Sequence, residues 1–407
     1  ARYFALLRRA LPAICPTRAA FGMLCRSFSC SASTGVSLVN RALSQVARSA
    51  QSVCCPGARR NGEGLAKDVV IGFAGLGAMG YNMAAHMATK LPNHRCIVWN
   101  RTTEKAAHHA GDHGSVHALT LQELGEASVV AFCLPTSAED EEFVQKLAPA
   151  MKRGSCLVSC TSGEPRTTKQ LAASLREHYG IHLLDCPVSG GPAGALAGTL
   201  TIMMGADDEA AAQRALPILQ TFAKKIVRCG PAGSGHAVKS VNNVLNATHL
   251  LLGVEGLLAL KRFGVKPEVA LDAINGSSGR SLQTEVRIPQ EVLTGRFGYG
   301  FKLGLMAKDC RIAAGLLRDS STGKSGLLEA AADIVSATAK TEDLEADYTT
   351  VVRHLERLAG MELRSSAVEK PPSQKLVKQS NEASSPGSLS EHGGLTYARP
   401  SRAIACA

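Results

Sequence analysis

The feature that most restricts the fold is a junction. Asp68-Val69-Val70-Ile71-Gly72-Phe73, an apolar run of strand length, empties directly into Ala74-Gly75-Leu76-Gly77-Ala78-Met79-Gly80. Unbroken apolar runs this short are those of parallel strands buried on both faces. Glycines spaced G-x-G-x-x-G between such a strand and a helix, expected here over about Met79 to Thr89, have separate uses. Gly75 permits a tight turn, Gly77 lets backbone approach a pyrophosphate, and Gly80 lets the helix pack on the strand. The helix start then offers free N–H groups to phosphate. The junction predicts dinucleotide binding, with Gly75, Leu76, Gly77, Ala78, Met79 and Gly80 as the cofactor loop.

Alternation of strand and helix patterns continues. Cys96-Ile97-Val98-Trp99 is a second strand ending at Asn100-Arg101-Thr102, where an adenine ribose would lie. An acid there would take the 2′-hydroxyl of NAD; none is present, and Arg101 can grip a 2′-phosphate, so NADP is preferred over NAD. The alternative is a merely solvated Arg101. Further strands are expected at 128–133, 155–159, 181–188, 200–204 and 225–229. Open α/β sheets bind ligands at strand C-termini, which places Leu134, Pro135, Thr161 and Ser162 beside the reactive half of the cofactor. Thr161 and Ser162 can also cap the following helix. The 181–188 run empties into Ser189-Gly190-Gly191, a turn whose successive N–H groups can hold a carboxylate, or which simply connects a hairpin.

From Gly230-Pro231 to about Gly360 only helical patterns remain. The longest opens at Gly233 and runs to about Leu260, placing Lys239 and Asn243 on one face with Gly235 a turn before them. Lysine can give or take a proton, asparagine can hold a hydroxyl or carbonyl, and glycine admits a ligand to the backbone. A solvated lysine near a helix start is the alternative. Farther on, Lys308-Asp309 either reaches the cofactor or forms a surface ion pair.

The net charge of +11 raises the question of nucleic acid. Nine arginines and no acid fall in residues 1–62, so the remainder carries only +2. An acid-free, Arg- and Ser-rich leader reads as a transit peptide, mitochondrial first and plastid second, with a nucleic-acid-binding arm as the alternative. No uninterrupted apolar run reaches the roughly 20 residues of a membrane span, since the best is broken by Glu255. The cysteines lack metal-ligand spacing, so no metal is expected. Residues 363–407, rich in Ser, Pro, Lys and Glu, read as a disordered tail.

Taken in order, Gly75-x-Gly77-x-x-Gly80, Asp185-Cys186-Pro187-Val188-Ser189-Gly190-Gly191, Gly233-x-Gly235-x-x-x-Lys239-x-x-Asn242-Asn243 and Phe301 to Asp309 resemble the β-hydroxyacid dehydrogenase family over about 68–360. The resemblance implies an α/β Rossmann domain (68–230) joined by a long interdomain helix to an all-α domain (231–361), with the active site in the cleft. It implies Lys239 as catalytic lysine and Asn243 as the asparagine that orients substrate. Ser189, Gly190 and Gly191 become the carboxylate-binding turn, Lys308 a cofactor contact, and Phe301 and Asp309 residues lining the cleft. Where many members read Asp-x-Ser-Thr-x-x-Pro, this chain has Ser159-Cys160-Thr161-Ser162-Gly163-Glu164-Pro165, so Ser162 replaces a threonine. Only 168 residues follow Lys239, which sets the chain apart from 6-phosphogluconate dehydrogenases, and no arginine cluster accompanies the glycine turn to clamp a sugar phosphate. The expected substrate is a small 3-hydroxy acid such as 3-hydroxyisobutyrate or its semialdehyde. An NADPH-dependent glyoxylate or succinic semialdehyde reductase is the alternative, and a non-catalytic NADP-binding module the reading from another class. The expected assembly is a homodimer or homotetramer.

Overall fold

The computed structural model describes residues 69–319 and 326–365; the leader, and the tail beyond 365, lie outside them. Among the described residues one sheet dominates the first half. Its strands are β1 (Val70–Ala74), β2 (Arg95–Trp99), β3 (Val116–His117), β4 (Val129–Phe132), β5 (Cys156–Ser159), β6 (His182–Asp185), β7 (Val188–Ser189), β8 (Leu200–Gly205) and β9 (Ala223–Gly230). Helices α1 (Gly80–Lys90), α2 (Thr103–His113), α3 (Ser137–Leu147), α4 (Pro165–Tyr179), α5 (Gly191–Ala197) and α6 (Glu209–Leu219) connect them. The six strands β3-β2-β1-β4-β5-β6 are parallel in that order. This is the doubly wound order in which ligands lie across the strand C-termini, where the winding reverses between β1 and β4. β4 and β5 are buried at every residue, as their unbroken apolar sequences require.

The expected single strand over 181–188 is in fact two. Pro187 has no N–H to give a ladder, so the chain leaves the parallel sheet at Asp185, and β7 instead pairs antiparallel to β8, Val188 opposite Ile202 and Ser189 opposite Thr201. Between β7 and β8 lies α5, so the glycine turn opens a short helix within the connection of this antiparallel pair.

Helix α7 (Ser234–Phe263) leaves β9 and carries the chain into the second half, where α8 (Pro267–Asn275), a π-helix (Gln283–Val292), α9 (Leu303–Asp319), α10 (Gly326–Thr341) and α11 (Val352–Ala359) pack around it. At 30 residues it is about 45 Å long. By length and composition it could cross a membrane. Its apolar face, Val244, Ala247, Leu250, Leu251, Val254, Leu257 and Leu258, is instead buried in the core of this helical half. The tail assignment needs correction at its start: Leu363 is fully buried, its N–H donates to Glu356 at 2.7 Å, and the Ser365 N–H donates to the Leu293 carbonyl at 3.0 Å.

Candidate active site

Space around the three loop glycines separates their roles. A Cβ on Gly80 would stand 1.8 Å from the Gly75 carbonyl oxygen, and one on Gly75, whose φ is +88°, would stand 2.4 Å from the carbonyl of Cys133. Both positions exclude any side chain for packing reasons. Gly77 is different, since a Cβ there would meet nothing within 4 Å. The open face over Gly77, with Ala78 exposed and Met79 half-buried beside it, is where a pyrophosphate would lie against backbone. The Leu76 side chain is buried, and its N–H donates to Asn100 Oδ1 at 2.9 Å. Asn100 Nδ2 donates to the Thr102 carbonyl at 3.0 Å. Asn100 thus ties the ribose turn to the glycine loop. Arg101 and Thr102 are exposed at the turn.

At the ends of β4 and β5 the Thr161 hydroxyl accepts the Leu134 N–H at 3.0 Å and donates to Asp140 Oδ1 at 2.7 Å, while Ser159 donates to Asp140 Oδ2 at 2.7 Å. Burial raises the Asp140 carboxyl to about 6, against the pull of these two hydroxyls. Thr161 and Ser162 do not cap α4. Glu164 does, accepting the Thr167 N–H at 2.6 Å, with Pro165 as first helical residue. Lys308, expected either at the cofactor or in a surface pair, reaches across from α9 to the sheet. Its Nζ donates to the carbonyls of Ser162 and Pro135 and lies 3.4 Å from Asp309 Oδ1, with both side chains largely buried.

The start of α7 is held by Asp185, which is fully buried at the end of β6 and accepts the N–H groups of Gly233 at 2.8 Å and His236 at 2.9 Å. Gly235 is needed for this packing and not for a ligand: its Cβ would stand 2.2 Å from the Met203 carbonyl and 2.8 Å from that of Asp185. Asp185 was not legible as a functional residue; an acid closing an apolar strand just before Cys-Pro was the available signal. His236, buried beside it, shares a hydrogen bond of 2.8 Å with the Thr168 hydroxyl, and burial lowers its pKa.

One and two turns on, Lys239 and Asn243 are both buried. Asn243 Nδ2 donates to Asp309 Oδ2 at 2.6 Å, and among the described residues no hydrogen bond or ion pair holds the Lys239 amine. Burial pushes Lys239 below the ordinary lysine range; Asp309 pulls it back up and Lys308 adds to the depression. A buried, unengaged amine of lowered pKa gives up its proton at lower pH than a free lysine, which suits it to proton transfer.

Gly190 and Gly191 take φ values of +138° and +65° and form the tight turn between β7 and α5. The Tyr299 hydroxyl closes over it, 3.1 Å from where a Gly191 Cβ would stand, and Arg287 stacks over the Tyr299 ring at 3.5 Å. A single arginine, Arg287 of the π-helix, is thus brought toward this turn through Tyr299. Phe301 packs edge-on against Tyr348, with ring centroids 6.0 Å apart, on the apolar core of the helical half. Of the residues expected together, Asn243 and Lys308 are bonded to Asp309, whose charge also acts on Lys239, whereas Phe301 is seated against Tyr348.

Residues 70–230 match the family model described as the NAD binding domain of 6-phosphogluconate dehydrogenase, and residues 233–355 that described as the NAD-binding domain of NADP-dependent 3-hydroxyisobutyrate dehydrogenase. The two matches meet between β9 and α7, just ahead of Lys239, and the class they define with the fold is an NAD(P)-dependent dehydrogenase acting on the CH–OH group of a hydroxy acid. The chain is 35% identical to 2-(hydroxymethyl)glutarate dehydrogenase of Eubacterium barkeri, over 61% of this chain and 82% of that one. It is 31% identical to a Dictyostelium discoideum protein named "Probable 3-hydroxyisobutyrate dehydrogenase, mitochondrial", over 60% and 77%. The solved structure of Mycobacterium tuberculosis 3-hydroxyisobutyrate dehydrogenase with L-serine superposes with a TM-score of 0.65 at 28% identity, covering 71% of this chain and 99% of that one. The chain belongs to the β-hydroxyacid dehydrogenase family.

Proposed function

We propose that the protein interconverts a small 3-hydroxy acid and its semialdehyde with NADP, with 3-hydroxyisobutyrate the leading substrate. The observation that carries this reading is the buried, unengaged Lys239 amine one turn from the Asn243–Asp309 pair. A bound nicotinamide supplies or accepts the hydride. Lys239 protonates the carbonyl oxygen as the aldehyde is reduced and takes the hydroxyl proton in the reverse direction. Asn243, held by Asp309, orients that oxygen, and the turn at Ser189, Gly190 and Gly191 anchors the carboxylate, so the spacing of acid and alcohol is selected at both ends. The open face at Gly77 fits a pyrophosphate, and Arg101, exposed at a ribose turn without an acid, supports NADP. The same turn favours NADPH-dependent reduction of glyoxylate or succinic semialdehyde as the second reading.

The arginine-rich leader supports import into mitochondria, where breakdown of valine would supply 3-hydroxyisobutyrate; N-terminal sequencing of the native protein tests its removal. Exposed Leu245, Leu252 and Phe263 along α7 support a homodimer or homotetramer, to be measured by light scattering. The decisive experiment follows NADPH absorbance over a panel of 3-hydroxy acids and semialdehyde acids with both cofactors. Preference for 6-phosphogluconate, or for an alcohol without a carboxylate, refutes the site, and cofactor binding without turnover of any acid makes the protein a binding module.

A further inference from the structure

The face of α7 that bears Lys239 and Asn243 continues to Asn246, and from there polar groups lead around to the glycine turn. Asn246 Oδ1 accepts hydrogen bonds from Gln283 Nε2 and, at 3.4 Å, from the Tyr348 hydroxyl. Gln283 is 1% exposed, and its Oε1 has no partner among the described residues. Four residues along the π-helix stands Arg287, half-buried, its guanidinium over the ring of Tyr299 and its charge felt at Tyr348. Tyr299 packs edge-on against Tyr348 at 5.9 Å and brings its hydroxyl to Gly191. The path thus closes from the lysine, through two amides and two phenols, to the carboxylate-binding turn.

Among the described residues Arg287 forms no ion pair with a carboxylate, although its charge helps to lower the Glu291 pKa. The acid four residues farther on, Glu291, is already taken by Arg296 and by the Gly298 N–H at 2.9 Å. Two other arginines of the helical half, Arg364 and Arg357, are paired with Glu356 and Glu342. Stacking on Tyr299 fixes the plane of the Arg287 guanidinium and leaves its N–H fork for an anion.

We propose that Arg287, set by Tyr299 beside the Gly190-Gly191 turn, is a second anion subsite that extends the enzyme's range beyond 3-hydroxyisobutyrate to hydroxy acids whose 2-substituent ends in a carboxylate. This rests on the reading that Ser189, Gly190 and Gly191 hold the first carboxylate and Lys239 the hydroxyl. With those two ends fixed, the substituent on the carbon between them is the part of the substrate left to reach Arg287. A guanidinium meets a carboxylate through two parallel N–H bonds, a recognition that neither lysine nor glutamine reproduces.

The test uses the full chain with NADP, comparing by calorimetry glutarate with valerate, which has the same length but a single carboxylate. Wild type binds glutarate at least about tenfold more tightly, Arg287→Gln narrows the gap to below about threefold, and Arg287→Lys lies between. Thermal unfolding shows each variant folded. In turnover, Arg287→Gln raises KM for 2-(hydroxymethyl)glutarate at least about tenfold with kcat kept, and leaves 3-hydroxyisobutyrate within about threefold. Equal binding of the two probes by wild type, or equal weakening of both by Arg287→Gln, overturns the subsite. A glutarate preference that depends on Arg287 without oxidation of either acid upholds the subsite and overturns the reaction. Oxidation of both acids, unaffected by Arg287→Gln, does the reverse.

Discussion

Asn243 on α7 donates to Asp309 on α9 at 2.6 Å, and the same carboxylate is the largest influence opposing the depression of the Lys239 pKa by burial. One acid therefore both holds the Asn243 amide and raises the proton affinity of the neighbouring Lys239 amine. Asp309→Asn can keep a hydrogen bond to Asn243 while removing the charge. The Lys239 pKa then falls further. Alcohol oxidation needs the neutral amine and rises as pH passes that pKa, so its acid limb moves to lower pH in the variant; aldehyde reduction needs the ammonium, so its decline with rising pH begins at a lower pH than in wild type. An unmoved pH–rate profile would remove Asp309 from this role.

Replacing Lys239 separates stability from catalysis. Its folded pKa lies below the unfolded one, so below the unfolded pKa the unfolded chain binds more protons and the buried ammonium weakens the fold. Lys239→Met lowers turnover by roughly two to four orders of magnitude and raises Tm at neutral pH, with cofactor affinity kept. Loss of both turnover and Tm would mean that the lysine serves packing.

The loop glycines give opposite outcomes. Gly77→Ala places a methyl in open space, so Tm stays within a degree or two of wild type while KM for NADP rises about tenfold or more through lost pyrophosphate contact. Gly80→Ala drives a methyl into the Gly75 carbonyl and lowers Tm sharply. A Gly77→Ala enzyme with unchanged KM would move the phosphate elsewhere.

Asn100→Asp keeps the acceptor for the Leu76 N–H and adds a charge at the ribose turn. The ratio of kcat/KM for NADP to that for NAD falls by about tenfold or more, each factor of ten being about 1.4 kcal/mol. A wild-type enzyme that already prefers NAD strongly would overturn the reading of Arg101.

Asp140 gives a stability signature. Its folded pKa, about 6, lies above the unfolded carboxylate value, so the folded protein binds the extra proton between about pH 4 and 6. Its contribution is fully favourable below that window and is lost as pH rises through it, by on the order of 3 kcal/mol. Against Asp140→Asn, wild type loses relative stability from pH 4 to pH 7 in chemical unfolding. A constant difference across that range would show that Asp140 does not titrate there.

Period and punctuation made the parallel sheet and the long helix readable, because both signals are local: Val70 to Ala74 is apolar without alternation, and α7 repeats at helical spacing. Lys239 and Asn243 were readable for the same reason, lying one turn apart on one helix. The groups brought to them from afar were not. Asp140 reads as one of four acids at a helix start, and only the β5 strand end shows that Ser159 and Thr161 bury it. Arg287 lies in a π-helix containing Pro289, whose irregular period hides which side faces Tyr299. The break at Pro187 turned one expected strand into two.

The Asp185 carboxylate, which seats the first N–H groups of α7 on the end of β6, has a consequence for how this protein can change. The turn at Ser189, Gly190 and Gly191 begins four residues after it, so the two ends of the proposed acid-to-alcohol spacing, that turn and the start of α7, are both tied to the end of β6. The outer helices contribute tuning and selection around a calibrated gap. Exchange of the segment from the π-helix to α9 for that of a relative is therefore a route to a new side-chain preference, whereas a one-residue insertion between Asp185 and Lys239 disturbs the spacing for every substrate alike.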